Sequence, residues 1–569
     1  MIHYQLEFDD FNQHLIHVTL RFLANPQQQL WLPTWIPGSY LIREFSKHIE
    51  QVRAFDEAGR QLQIDKTHKN RWQLFNIDHE FISLEYKVYA YDLSVRGSYV
   101  DQIRVYVNPT AICMGLTGQE HAPHELELFL PKALQHFSYA GALPSKSLVQ
   151  GRFTLKAKNY AHLMDSPFEL AVQDRFSFEA EGITHDFVLS GHHQANVQRL
   201  KQDIEKICRT EIQMFGSAPF EHYTFLTMVT GNLYGGLEHA ESTSLICPRE
   251  DLPKADEKAQ PSKDYQRYLG LCSHEYFHSW LVKFIRPENY VEPNLHEEDY
   301  TSLLWIFEGF TSYYDDLILA RSGVISSDAY LALLTEQINR YLQNPGRKVQ
   351  SVSESSFDAW IKFYRPDENS NHAGTSYYNK GALVALCLDL GLRCQGSSLD
   401  ELMRRLYANA QAGVQVHERT IFELCHALTG QNWIERLSSL IFSTDDLPLA
   451  ELLAAFGVRY EIQTEKTLAF GAKVQEKPEG LLLQQVLRDS SAAQAGLSAN
   501  DIVIALDGIR ISQNLWQSKA KENRVLRCHA FRRDELMQFE LNAQEYPLPT
   551  VRLRVEHQDK LMQWLDCKL

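Results

Sequence analysis

His274-Glu275-Tyr276-Phe277-His278 sets two imidazoles and one carboxylate at a spacing that can run hydrolysis. On a helix, residues four apart share a face, so His274 and His278 can direct two nitrogens at one ion. Glu275, offset by one position, can reach a water beside that ion. Neutral nitrogen ligands, an open coordination position and a nearby base are what a zinc hydrolase needs. The chain holds 23 His, so the pattern alone also fits an amphipathic helix with two His on its buried edge and a solvated Glu. Context decides between them.

A catalytic zinc normally takes a third protein ligand. The best candidate is Glu308, in Trp305-Ile306-Phe307-Glu308-Gly309, thirty positions after His278. A charged Glu buried in so apolar a segment needs a partner, and a metal is one; a Glu on the wet face of a helix is the competing reading. Gly235-Gly236-Leu237-Glu238-His239 lies just after a predicted strand. Paired glycines permit close backbone approach, as when a peptide lies along a sheet edge. Glu238 can then bind a substrate's α-amine, although a glycine hairpin with a solvated acid fits equally well. Tyr377-Tyr378-Asn379-Lys380-Gly381 precedes an apolar helix at 382–392. A phenol near the zinc can donate to the oxyanion of a tetrahedral intermediate; packing and capping are the ordinary uses of such a pair.

The elements that must position these residues follow from periodicity. Residues 1 to about 165 read as β structure, with alternating or β-branched segments at 15–22 and 81–89 and turn signals at Pro33, Pro37-Gly38 and Gly97. From about 166 to 325 strands and helices mix: a buried strand at 223–229, a glycine-bearing turn at 231–236, the HExxH helix within the apolar segment 269–284, and a second helix over about 301–321. Residues 327–455 are mainly helical by spacing. After Gly457 short strands return, with Asp507-Gly508 as a tight-turn signal.

Length and composition set the outer bounds. The 569 residues suit several domains, and a 44% hydrophobic content is ample for packed cores. The net charge of −16 argues against nucleic acid and against an anionic membrane surface as partners. The nine Cys are scattered singly, without a CxxC, which speaks against a disulfide framework. The N-terminus carries Asp9 and Asp10 and no basic, apolar signal. The apolar run 381–392 is short and interrupted by Asp389, so it does not span a bilayer. A soluble cytoplasmic protein is the expectation.

HEYFHSW, LWIFEGFTSYY, YRPDENS and SYYNKGALVALCLDL, in that order, resemble the PDZ-bearing glycyl aminopeptidase family of gluzincin metallopeptidases. The stretch 33–49 (PTWIPGSYLIREFSKHI) is similar to that family's N-terminal domain, and residues 468–511 resemble a PDZ domain. The resemblance implies one Zn²⁺ per chain, with His274, His278 and Glu308 as ligands and Glu275 as general base. It makes Gly235, Gly236, Leu237, Glu238 and His239 the substrate-binding segment, with Glu238 on the free amine. It also makes Tyr378, rather than Tyr377, the transition-state Tyr. The implied preference is for N-terminal Gly, then Ala.

Two positions depart from related patterns. Thermolysin-like enzymes place an Asp four residues after the Glu ligand, where this chain has Ser312; Asp315 and Asp316 are the candidates to orient a ligand His instead. The peptide-carboxylate loop of the PDZ-like part, Leu468-Ala469-Phe470-Gly471, matches a glycine-rich loop only loosely, which favours an intramolecular packing role.

The expectation is therefore a multidomain α+β protein. It has an N-terminal β-sandwich (1–165), a thermolysin-like zinc subdomain (166–325) with a helical part (326–456), a PDZ-like domain (457–548) and a tail (549–569). Its function is zinc-dependent removal of small N-terminal residues from peptides with a free N-terminus, with a possible ligand for the PDZ-like domain. The alternatives are an endopeptidase or other hydrolase on the same scaffold, or a peptide-binding scaffold with a vestigial zinc site.

Overall fold

The alternation at 15–22 and 81–89 produces neighbouring strands. Leu15–Leu23 pairs antiparallel with Phe81–Tyr89, placing Ile16, Val18, Leu20 and Phe22 on the buried face with Ile82, Leu84, Tyr86 and Val88. Ile2–Glu7 pairs antiparallel with Leu15–Leu23 and parallel with His124–Phe129, within an eight-stranded sheet. Two four-stranded sheets complete a β-rich N-terminal region. The computed structural model describes residues 1–78, 80–463 and 466–566. It divides into two units. The first is Met1–Leu303, Phe310–Ser327 and Ser398–Leu428; the second is Leu304–Gly309, Asp328–Ser397 and Thr429–Leu569.

In the first unit a five-stranded sheet follows the β-rich region. Its strands are β1 (Gln173–Ala180), β2 (Ile183–Ser190), β3 (His222–Thr230), β4 (Gly235–Glu238) and β5 (Ser242–Pro248), in the order β1-β2-β3-β5-β4. β2, β3 and β5 run parallel, while β4 returns antiparallel to β5 and ends the sheet. Residues 223–229 of β3 are buried throughout, as a central strand covered on both faces requires. Helix α1 (Val197–Phe215) is capped by the Asn196 side chain and stopped by Gly216 at φ +88°. Helix α2 (Lys263–Phe277) carries the HExxH residues and buries Tyr265, Tyr268, Leu269, Cys272 and Tyr276.

Two local expectations change. The glycines at 235–236 belong to the edge strand β4 and not to the turn before it. The helix expected over 301–321 starts at Leu304 and is divided into α3 (Leu304–Phe307) and α4 (Gly309–Arg321), with Glu308 at the break. Gly309 lies so close to Gly381 that a Cβ on it would sit 2.6 Å from the Gly381 backbone. This approach between segments seventy residues apart has no local sequence signature.

The second unit contains α5 (Asn379–Arg393), buried from Lys380 to Leu392, so the apolar run there is a core helix. Its C-terminal part is a six-stranded sheet of β6 (Ala472–Lys477), β7 (Gly480–Val486), β8 (Ile502–Leu506), β9 (Val525–Arg532) and β10 (Glu535–Asn542), with the short strand Ile509–Arg510 beside β8. Helix α6 (Gln513–Lys519) contributes Trp516 to its core, where the ring packs 4.4 Å from that of Phe470. The chain is thus multidomain α+β, with an N-terminal β-rich domain, a helix-containing central region and a C-terminal β-sheet domain. Among the described residues no helix is long and apolar enough to cross a membrane. The eight described cysteines are free thiols, and Cys567 lies outside the described residues.

Candidate active site

His274 occupies the last turn of α2 and His278 its C-cap, still in helical geometry, so the four-residue spacing brings their Nε2 atoms to 3.1 Å. The opposite ring nitrogens are committed. His278 Nδ1 lies 2.9 Å from the Leu281 carbonyl oxygen, to which it must donate, and His274 Nδ1 lies 3.2 Å from Asp315 Oδ2. With both Nδ1 atoms protonated, two Nε2 lone pairs face each other, an arrangement that calls for a cation between them. Ligand atoms of His274, His278 and Glu308 lie within 4.8 Å of one another, and Glu308 is buried. Two imidazoles and a carboxylate, with the outer nitrogens held by a carboxylate and a carbonyl, form a donor set that fits zinc.

Asp315 therefore takes the contact that Ser312 does not offer. Burial pushes its carboxyl up, and the neighbouring His274 opposes that. The loop that supplies the Leu281 carbonyl is tight. Val282 has φ +98°, a strained backbone for a β-branched residue, held by hydrogen bonds from Val282 N–H to Ile285 O and from Lys283 N–H to His278 O. Lys283 then donates to Asp165 Oδ1 at 2.8 Å, and Asp165 also meets His239 Nδ1 at 3.1 Å and accepts from Ala240 N–H at 2.9 Å. Burial alone would raise the Asp165 carboxyl, but Lys283 and His239 outweigh it and hold it well below the usual carboxylate range. One carboxylate thus links the loop after the HExxH helix to the end of β4.

β4 carries the other acids. A Cβ on Gly236 would lie 2.2 Å from Glu275 Oε1, so only glycine leaves room for Glu275 against this strand. Glu238 is 3% exposed, and its Oε1 has no hydrogen-bond partner among the described residues. Ligand atoms of Glu238, Glu275 and His278 lie within 4.8 Å of one another. Two carboxylates at that separation repel by about 3 kcal/mol at an effective dielectric constant near 20, so the strand edge favours a cation. The Pro37-Gly38 turn closes over the same acid. Gly38, at φ +98°, has no room for a Cβ, which would fall 2.2 Å from Glu238 Oε1. In the sequence Gly38 shows itself only as part of a turn within 33–49, because its partner is two hundred residues away.

In the second unit, Tyr378 stands at the N-cap of α5. Its ring stacks on Phe363 at 5.3 Å and its hydroxyl lies 3.3 Å from that of Tyr364. Burial, with the nearby Glu308 charge next, raises its phenol well above the ordinary value, so it stays protonated and able to donate through neutral pH. Tyr377 is fully buried and packs on Phe363 and Tyr378. Lys380 is buried as well, donates to the Ser443 carbonyl, and is pushed by burial down to about 8.

Residues 3–172 match the family model of the peptidase M61 N-terminal domain, and residues 267–384 match that of the M61 glycyl aminopeptidase. A solved structure of an aminopeptidase N family protein from Idiomarina loihiensis is 40% identical, with 99% of this chain and 100% of that chain covered at a TM-score of 0.95. An M1 zinc metallopeptidase from Deinococcus radiodurans, solved with a Tyr-Ser-Ala substrate, is 13% identical, covering 79% of this chain and 94% of that one at a TM-score of 0.49. No curated protein matches the chain.

Proposed function

The chain belongs to the M61 glycyl aminopeptidase family and is a zinc aminopeptidase acting on peptides, and on that premise we propose how its residues share the reaction. His274, His278 and Glu308 hold one zinc per chain. Zinc, when bound, supplies Lewis acidity that acidifies water and polarises a carbonyl. Glu275 takes the proton of the attacking water and passes it to the leaving amine. Tyr378 donates its O–H to the oxygen that gains charge as the carbonyl becomes tetrahedral. Glu238 binds the substrate's α-ammonium, and Gly235, Gly236, Leu237 and His239 shape the strand beside which the peptide lies.

The observation that carries this reading is the Glu238 carboxylate, buried on an edge strand within 4.8 Å of Glu275, with no hydrogen-bond partner for its Oε1 among the described residues. Leaving such a group without a cation is costly, and an ammonium ion satisfies it. The Gly38 turn over Glu238 closes the strand beyond that point, which supports removal of one residue at a time. We assign first-residue preference to Gly, then Ala. We also take the N-terminal region (1–165) as a β-sandwich, 166–325 and 326–456 as a thermolysin-like catalytic domain with its helical part, and 457–548 as PDZ-like, in a cytoplasmic enzyme.

The test is a pair of substrates, glycyl anilide and its N-acetyl form. The free amine is expected to react at least about a hundredfold faster, the scale of a truncated buried ion pair. Equal rates would overturn the aminopeptidase assignment of the site. Alanyl, leucyl and phenylalanyl anilides then rank the first-residue preference.

A further inference from the structure

β4 has an open side, and its parity can be read from the ladder. His239 N–H donates to Ser242 O, so 239 and 242 form a hydrogen-bonded pair. In an antiparallel ladder such pairs alternate, which makes 237 with 244 and 235 with 246 the next ones. Gly236 and Glu238 therefore turn their backbone N–H and C=O away from β5, toward the open edge. A peptide laid there with its amine at Glu238 brings its first carbonyl to Gly236 and Glu275, and its second residue to Gly235.

A cation already stands at that place. Arg96 Nη2 donates to the Gly236 carbonyl oxygen at 3.3 Å, and Nη1 is 3.8 Å from where a Cβ on Gly235 would lie. The turn that carries Arg96 is fixed: Arg96 N–H and Gly97 N–H both donate to Ser94 Oγ, and Asn108 donates to the Arg96 carbonyl. The guanidinium forms no ion pair with any carboxylate among the described residues, and its buried Nε has no hydrogen-bond partner among them. Arg199 and Arg267 of the same unit are, by contrast, each matched to an acid, Asp203 and Asp251. A held, unmatched guanidinium beside a peptide lane is a carboxylate receptor.

We propose that Arg96 forms a subsite for a carboxylate carried by the residue that follows the cleaved bond. This rests on the substrate direction given by Glu238 above. The carboxylate has two sources: an acidic side chain at the second position, or the free C-terminus of a dipeptide. Arg96 holds its own place through one N–H of Nη2 on Gly236, which leaves the Nη1 end of the guanidinium to meet the anion. The enzyme is then tuned to short glycyl peptides with a negative charge one residue beyond the scissile bond.

The experiment measures kcat/KM of the zinc-loaded enzyme on two matched pairs: Gly-Glu-amide against Gly-Gln-amide, and Gly-Ala against Gly-Ala-amide. The carboxylate member of at least one pair is expected to be favoured roughly tenfold or more, the scale of a hydrogen bond to a charged group. The pair that shows it identifies the source. Arg96→Gln should bring that ratio to within about twofold of unity, and Arg96→Lys should retain part of it, since lysine keeps the charge but loses the fork. Equal rates within both wild-type pairs overturn the subsite while leaving the aminopeptidase reading intact. This wild-type comparison needs no variant to fold. A preference that survives Arg96→Gln in full also overturns it. Failure to cleave even the neutral amides overturns the aminopeptidase reading, and the subsite with it.

Discussion

Two of the edge strands in this molecule, β4 and β6, are built for opposite purposes. β4 is short, begins with two glycines and presents the buried Glu238, whose Oε1 has no hydrogen-bond partner among the described residues. β6 ends the C-terminal sheet with Lys473, Gln475, Glu476 and Lys477 exposed along it, the kind of charged edge that resists strand addition. The loops before them differ too. Near β6, Phe470 N–H donates to Gln544 O and Gly471 N–H to Leu468 O, so these amides are already spent. The same domain turns Gln485 and Val486 to Asn371 and His372, and Arg488 to Asn369, within its own unit. An open backbone makes a peptide site only where charge is left unsatisfied beside it.

The contrast can be broken at single positions. The largest effect is expected at Glu275 beside β4: Glu275→Gln should lower kcat by about a thousandfold, the range for general acid–base catalysis, while zinc content by metal analysis stays near wild type. Next is Gly236→Ala, whose methyl would meet the Glu275 carboxylate at 2.2 Å. That carboxylate is a movable side chain, so the fold should survive with little change in Tm. The base is displaced, however, and kcat should fall about a hundredfold.

Asp315→Asn should weaken zinc affinity by roughly ten- to a hundredfold in competition with a chelator, because it alters the partner of His274 Nδ1. The smallest effect on catalysis belongs to the other edge. Gly471 sits at φ +70° with Ser490 Cβ 2.3 Å from any added methyl. Gly471→Ala should cost about 1–3 kcal/mol in thermal or urea unfolding. The kcat per folded enzyme should remain unchanged. Loss of kcat in that variant would mean that the two edges are coupled.

Much of the chemistry was legible because it is local. The spacing of His274 and His278 sets their convergence, and the apolar setting of Glu308 marked it as the third member of the group that the structure brings together. What stayed hidden is contact between residues far apart in the chain. The close approach of Gly309, just after the break at Glu308, to Gly381 is one such contact. The choice between Asp315 and Asp316 needed the orientation of α4 against His274. Gly38, Arg96 and Asp165 are each more than seventy positions from the residues they meet in or just after β4, and none carries a motif that points there. The edge position of β4 was hidden as well, since paired glycines serve turns and strands alike.

The claim that β4 is an amine-anchored peptide lane is tested most directly by Glu238→Ala and a ten-residue peptide with an N-terminal glycine. Products are followed by mass spectrometry, and the measured quantity is the ratio of N-terminal glycine release to cleavage at internal bonds. Anchoring by Glu238 predicts that this ratio falls by about a hundredfold or more, with zinc content unchanged. A ratio equal to that of the wild type would contradict it.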